Sequence, residues 1–340
     1  MTAYINGAGS FVPERAVGNE ELGARLGLDP EQIFKSSGIR RRRWAAAGTP
    51  TSELAARALA AALDDAGLAA SELDYLLCGT MTPDRFVPGM APAVATRAGL
   101  GPVPCLDIRA TCCNALYGLQ LAAALVEAGA ARRVGICLAE IQSAWLELTA
   151  EAGTTSMLFG DGASALVVSG EPRPGAWEVC DVLLAADGSF ADDLGVRCPG
   201  TEFGVRLEDG GASRPAPEDF FPRMAGQSVI LHASRKMAAA CRELLERRGL
   251  TVEGVRWVVP HQANANLLAQ VARALRFQTD GGGLVSILEE YGNTSSASMG
   301  MAADALRRGG RARGGDYVLL PAFGAGFTWG AGLCRVVADS

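Results

Sequence analysis

Apolar runs of strand length alternate along this 340-residue chain with longer stretches of helical period, and that alternation constrains the fold more than any other feature. It is the pattern of a layered α/β protein, in which helices cover the sheet. Residues 75–78, 134–138, 255–259 and 317–320 read as buried strands. Thr49-Pro50 supplies a cap and a first-turn proline for a helix in which Leu54, Ala58, Leu59, Ala62 and Leu63 share one face, up to a stop at Gly67. Residues 113–128 and 237–248 are further helices, the second closing on Glu246-Arg247-Arg248-Gly249, with basic residues in its last turn and a glycine beyond. Phe159-Gly160-Asp161-Gly162-Ala163 and Phe323-Gly324-Ala325-Gly326-Phe327 each run into a strand at an offset of 164 residues, an echo that only hints at two similar halves. Residues 192–218, rich in Gly, Pro and Asp, read as a long loop joining or covering them.

Composition narrows the function classes. A hydrophobic content of 49% can bury a large core, which excludes a disordered or collagen-like chain and suits one large domain or two ordinary ones. A net charge of −6 rules out a uniformly basic nucleic-acid footprint and leaves only a local patch at Arg40, Arg41, Arg42 and Arg43. Gln120, Glu127 and Gly129 interrupt the longest apolar stretch before it could span a membrane. The first ten residues show no basic segment followed by an apolar core, so a cytoplasmic protein with reduced thiols is expected. The nine cysteines include no C-x-x-C pair and no nearby histidine, so no metal site is expected. Most lie in apolar runs, such as Leu76-Leu77-Cys78, and read as small buried hydrophobes.

One cysteine stands apart. Asp107-Ile108-Arg109-Ala110-Thr111-Cys112 places Cys112 after a strand and at the start of a helix, where unpaired N–H groups favour the thiolate. Cys113 would point about 100 degrees away around that helix. Of the two histidines, His232 falls in a helix-like segment and reads as a packing residue. His261 opens His261-Gln262-Ala263-Asn264 at the end of a strand, where α/β proteins tend to place their sites and also carry structural histidines. Asn293 in Gly292-Asn293-Thr294-Ser295 precedes a helix and could be simply its cap.

Taken together, Asp107 to Cys112, Pro260-His261-Gln262-Ala263-Asn264, Gly292-Asn293-Thr294-Ser295 and Ala322-Phe323-Gly324-Ala325-Gly326-Phe327-Thr328-Trp329-Gly330 closely resemble the thiolase-fold condensing enzymes, specifically β-ketoacyl-acyl-carrier-protein synthase III. The likeness runs over nearly the whole chain and includes Ser37-Gly38-Ile39-Arg40. It implies a thiolase-like α/β fold of two pseudo-symmetric halves in αβαβα layers, residues 1–172 carrying the cysteine and 173–340 the histidine and asparagine. Cys112 would be the nucleophile that accepts an acyl group, with the Cys112 and Ala325 backbone N–H groups as oxyanion hole. His261 and Asn293 would hold the enolate left when a malonyl thioester loses carbon dioxide. Gln32, Arg40, Val87, Asn264 and Phe323 would contact substrate. The resemblance further implies acyl-coenzyme A and acyl-carrier-protein thioesters as substrates and partners, no cofactor, and a homodimer.

The chain also departs from this family. Gln32 stands where a nucleotide-stacking tryptophan is common, and Ser36 and Asn266 where arginines are usual. Arg41, Arg42, Arg43 and Trp44 either substitute for that clamp or form a solvated turn. Arg235, Lys236, Arg273 and Arg276 remain to meet an acidic carrier. Val87 replaces a bulkier residue that closes the acyl pocket across the dimer, so an acyl group larger than acetyl is expected unless Phe86 or a loop residue refills the space, and the departures together suggest a role in specialised metabolism. Two other readings stay open: an acyltransferase of the same fold that does not extend the chain, and a non-catalytic partner subunit, against which the complete Cys112, His261 and Asn293 set argues. A thiolase would need a second cysteine in residues 323–333, and a Cys-His-His synthase a histidine in place of Asn293.

Overall fold

The computed structural model describes residues 2–201, 216–277 and 283–338. Nine strands form one sheet: Tyr4–Phe11 (β1), Tyr75–Gly79 (β2), Cys105–Ile108 (β3), Arg133–Glu140 (β4), Gly162–Ser169 (β5), Trp177–Ala186 (β6), Val255–Val258 (β7), Tyr317–Gly324 (β8) and Thr328–Val336 (β9). Their order is β7-β8-β9-β6-β1-β5-β4-β2-β3. The principal helices are Thr51–Ala66 (α1), Asn114–Glu127 (α2), Gly226–Arg247 (α3), Ala265–Leu275 (α4) and Ser298–Arg308 (α5).

The sheet repeats itself. β2 lies parallel to β4, and β5 is antiparallel to both β4 and β1. In the same way β7 lies parallel to β8, and β9 is antiparallel to both β8 and β6. The two Phe-Gly segments of the sequence echo lead into the matching strands β5 and β9. Only two residue pairs, Tyr4 with Glu178 and Ile5 with Trp177, join the halves through β1 and β6.

Cores lie on both sides of each half. Leu54, Leu59, Ala62 and Leu63 of α1 cover one face of the first half, packing on Cys78, Cys137, Ala165 and Val167. A side chain at Gly7 would place its Cβ 2.2 Å from the Ala62 carbonyl oxygen, so this helix can approach β1 only over glycine. Leu116 and Leu119 of α2 and Met301 and Leu306 of α5 fill the space between the halves, against Ile136 and Val168 on one side and Val318 and Leu320 on the other. Met237 and Leu244 of α3 and Leu267 and Val271 of α4 close the far face on Val258, Leu319 and Leu333. The layers therefore run helix, sheet, helix, sheet, helix, as the resemblance implies.

Several local expectations shift. Residues 237–248 are the second part of α3, which begins at Gly226 and carries His232 within it. The 192–218 segment includes the two-residue strand Leu194–Gly195, which pairs with Arg223–Met224 beyond it, and the start of a 3-10 turn at Pro217–Phe220, while its residues 202–215 lie outside those described. All nine cysteines are free thiols. Pro50 itself occupies the N-cap of α1 and offers no side chain to it. The cap comes from afar: Asp84 accepts from the Ser52 N–H at 2.9 Å and from its hydroxyl at 2.6 Å. The same contact, with Thr51 Oγ1 donating to the Thr82 carbonyl at 2.5 Å, pins the loop after β2 to α1. Asp84→Ala should lower stability by about 1 kcal/mol, the usual worth of a helix cap, measured as a lower urea midpoint at unchanged slope. An unchanged midpoint would show that the remote cap carries no energy.

Candidate active site

β3 does not feed straight into α2. The chain passes through a 3-10 turn, Thr111–Cys113, with Thr111 at φ 53°, a left-handed conformation costly for a β-branched residue. The β8–β9 hairpin holds that turn in place. Thr111 Oγ1 donates to the Ala325 carbonyl at 3.1 Å, Thr328 Oγ1 to the Ala110 carbonyl at 3.2 Å, and Cys113 Sγ reaches the Thr328 carbonyl at 3.4 Å. A Cβ on Gly324 would lie 2.3 Å from Thr111 Oγ1 and 2.9 Å from the Cys112 nitrogen, so only glycine lets the hairpin come this close. Cys113 is thus turned into the core, and Cys112 into a cavity of about 530 Å³ that His261, Asn293 and Ala325 also line. Among the described residues, the turn and loop hydrogen bonds engage neither the Cys112 nor the Ala325 N–H.

His261 follows β7 and is 2% exposed. Its backbone N–H donates to the Pro321 carbonyl at 2.9 Å, fixing it beside β8. Ser298 Oγ accepts from the Gln262 N–H at 3.1 Å, donates to the Ser295 carbonyl at 2.9 Å and lies 2.8 Å from His261 Nδ1. With its proton on Ser295, the hydroxyl can only accept from the ring, which places the imidazole proton on Nδ1 and leaves Nε2 with a lone pair. Asn293 is fixed by its backbone N–H to Leu158 at 2.8 Å. Its Oδ1 accepts from the Ser295 N–H at 2.8 Å, which leaves the side-chain NH₂ to donate into the cavity. Asn293 is therefore both a local turn cap and a donor. Ser295 completes the group, its Oγ 3.5 Å from Cys112 Sγ.

Electrostatics corrects one expectation. Burial pushes the Cys112 thiol up to about 11, with the Ser295 hydroxyl opposing it and the Glu140 carboxylate adding to it. The 3-10 turn does not lower it as a helix N-terminus was expected to, because desolvation of the anion outweighs the local N–H groups. Burial likewise holds His261 down to about 4, so the imidazole is neutral.

Of the expected substrate contacts, Asn264 and Phe323 line the cavity, and Asn264 also caps α4 by accepting from the Leu267 N–H at 2.9 Å. Gln32, Arg40 and Val87 do not line it. Gln32 donates to Ser36 Oγ at 3.0 Å, and Asn266 donates to the Ser36 carbonyl at 2.9 Å, so the three departures form one polar patch of their own. Arg40 is committed to Glu289 at 2.6 Å and stacks over Phe34 at 4.0 Å. Val87 is 74% exposed, and it is its neighbour Phe86 that faces the cavity. The Arg41 to Arg43 stretch is neither clamp nor simple solvated turn: Arg41–Arg43 is a short strand in which Arg42 is fully buried on Asn19 and Met157, with Trp44 buried beside it. Lys236 is spent on Asp187 and the Trp329 ring, while Arg235, Arg273 and Arg276 are exposed. His232 packs on Phe190 and Phe327, outside the cavity. Sequence reasoning gave no role to Ser295, Ser298, Glu140 or Gln142; Ser295 sat inside the quoted Gly-Asn-Thr-Ser segment and Ser298 three residues beyond it, and their polarity in a buried run was the available signal. The rate of Cys112 alkylation by iodoacetamide should climb about tenfold per pH unit from pH 7 to 10 without levelling, since the rate follows the thiolate fraction. A plateau below pH 8 would contradict the raised thiol.

Comparison with known proteins gives the family. The 3-oxoacyl-[acyl-carrier-protein] synthase III model matches residues 106–188, its C-terminal counterpart residues 245–336, and the thiolase N-terminal domain model residues 37–144. The β-ketoacyl-[acyl-carrier-protein] synthase III of Oleidesulfovibrio alaskensis is 38% identical over 334 residues, 98% of each chain. The crystal structure of 3-oxoacyl-(acyl carrier protein) synthase III from Pseudomonas aeruginosa superposes with a TM-score of 0.86 at 31% identity, covering 100% of this chain and 99% of that one. The priming β-ketosynthase from the R1128 polyketide biosynthetic pathway gives 0.87 at 32%, covering 99% and 96%. The fold is thiolase-like, the protein is a transferase of the ketosynthase and acyltransferase type, and the chain belongs to the β-ketoacyl-[acyl-carrier-protein] synthase III family.

Proposed function

We propose that the protein loads an acyl group onto Cys112 and condenses it, with loss of carbon dioxide, onto a malonyl thioester in fatty-acid-like or polyketide assembly. The observation that carries this reading is the convergence on one cavity of a thiol, a neutral imidazole and an uncommitted amide NH₂. In the division used here, residues 1–172 supply the nucleophile and residues 173–340 supply His261 and Asn293.

In the loading step His261 Nε2 takes the Cys112 proton as Sγ attacks the thioester carbonyl, and the developing oxyanion meets the Cys112 and Ala325 N–H groups. Collapse expels the donor thiolate, which recovers the proton from Nε2. In the second step the enolate oxygen accepts from the Asn293 amide and from His261. That second contact needs the other neutral tautomer, reached when solvent takes the Nδ1 proton and returns one to Nε2; the Ser298 hydroxyl supports it by turning its own proton from the Ser295 carbonyl to the bare Nδ1. The carbanion then attacks the acyl-Cys112 carbonyl, releasing the β-ketoacyl thioester. The free NH₂ of Asn293 favours condensation over simple acyl transfer, which has no enolate to bind.

Delivery of the acyl unit on a phosphopantetheine arm fits the site better than recognition of a nucleotide, because Gln32 and Asn266 each donate to Ser36 and Arg40 is bonded to Glu289. Exposed Arg235, Arg273 and Arg276 suit an acidic carrier protein. A homodimer is supported by the open edge at β3, where Leu106 is 42%, Phe86 64% and Val87 74% exposed. The cavity volume supports an acyl group larger than acetyl. Cys112→Ala should abolish acyl loading in intact-protein mass spectrometry. Asn293→Ala should load normally but lose about 10²-fold or more in carbon dioxide release, the usual effect of deleting one oxyanion donor. Full turnover by either variant would overturn the mechanism.

A further inference from the structure

Where β4 ends, Leu138-Ala139-Glu140-Ile141-Gln142 carries two polar side chains into an apolar run. Glu140 has no solvent exposure, and four residues donate to it: the Met81 N–H at 3.1 and 3.2 Å, Thr82 Oγ1 at 3.0 Å, Ser296 Oγ at 2.6 Å and Gln142 Nε2 at 3.2 Å. Burial pushes the Glu140 carboxyl up to about 7, but the donors around it oppose that shift and favour the accepting form, which orients the amide beside it. Gln142 must present its N–H to Glu140, so its carbonyl oxygen points elsewhere.

Gln142 is 7% exposed and lines the same cavity as Cys112, whose lining also includes Met81, Phe86, Trp145 and Leu158. Among the described residues no donor reaches Oε1, and that oxygen is not one of the fully enclosed unpartnered atoms, so it keeps accessible surface on a residue that lines the cavity. A wall otherwise suited to an alkyl chain thus holds one anchored, unpaired acceptor. An alkyl group that displaced water from it would leave a buried carbonyl unsatisfied, whereas a hydroxyl at the right carbon would pair with it.

Resting on Cys112 as the acylated residue, we propose that Gln142 selects acyl units bearing a hydroxyl group, which donates to Oε1 while the amide stays tethered to Glu140. Acyl-pantetheine thioesters test this in chain-matched pairs: butanoyl against 3-hydroxybutanoyl, and hexanoyl against 3-hydroxyhexanoyl and 6-hydroxyhexanoyl. Acylation of Cys112 is followed by intact-protein mass spectrometry. At least one hydroxylated member should load about tenfold faster than its alkyl partner, the ratio expected when one buried acceptor is paired instead of left empty. Gln142→Leu should remove that advantage and speed the alkyl member. Alkyl members loading as fast as every hydroxylated partner, or an unchanged ratio in Gln142→Leu, would overturn the proposal while leaving Cys112 as the nucleophile. Loading of no thioester at all would instead refute the Cys112 reading and the proposal with it. The wild-type pairs decide the matter even if the leucine variant does not fold.

Discussion

The contact of the β8–β9 hairpin with the Thr111–Cys113 turn is the interaction on which the rest of the site depends. It joins the halves at the proposed nucleophile: Cys112 comes from the first, the Ala325 N–H from the second, and they meet because Gly324 has no side chain to hold them apart. The same approach holds Thr111 at a positive φ, its hydroxyl tied to Ala325 across the junction. α2 and α5 pack between the halves and support the turn and the Asn293 loop from behind.

Burial has one physical consequence with two expressions. It raises the Cys112 thiol and lowers His261, so at neutral pH the empty site holds a neutral thiol beside a neutral imidazole. On the proposed mechanism charge develops only as thiolate and imidazolium together, or as an oxyanion facing N–H donors, in surroundings where such pairing is stronger than in water. Fixed hydrogen bonds prepare the donors in advance. Ser298 governs the tautomer of His261, Ser295 orients the Asn293 amide, and Glu140 orients Gln142.

Much of this was legible in the sequence. The strands at residues 75–78, 134–138 and 317–320 were placed by their apolar runs, with ends short by one to four residues because β4 and β8 stay buried beyond the run. Cys112, His261 and Asn293 were found by motif order, and all three line one cavity. What the sequence did not show was long-range. The cap of α1 lies 32 residues away at Asp84, the partner of Arg40 is 249 residues away at Glu289, and no local pattern reveals either. The thiol shift was missed for the same reason: a position at a helix start is visible in the chain, whereas desolvation comes from residues brought in by the fold. Arg42 read as part of a charged run, yet its neighbours Asn19 and Met157 make it a buried structural cation.

Whether the captured acyl group is extended or merely passed on is a question of carbon balance. Wild-type protein preloaded on Cys112 can be mixed with labelled malonyl-carrier, and the carbon dioxide evolved counted against the acyl groups lost from the thiol. The geometry of His261 and Asn293 calls for one carbon dioxide per acyl group, with the product longer by two carbons. Loss of the acyl group to an acceptor with no carbon dioxide released would refute condensation and leave a simple acyltransferase.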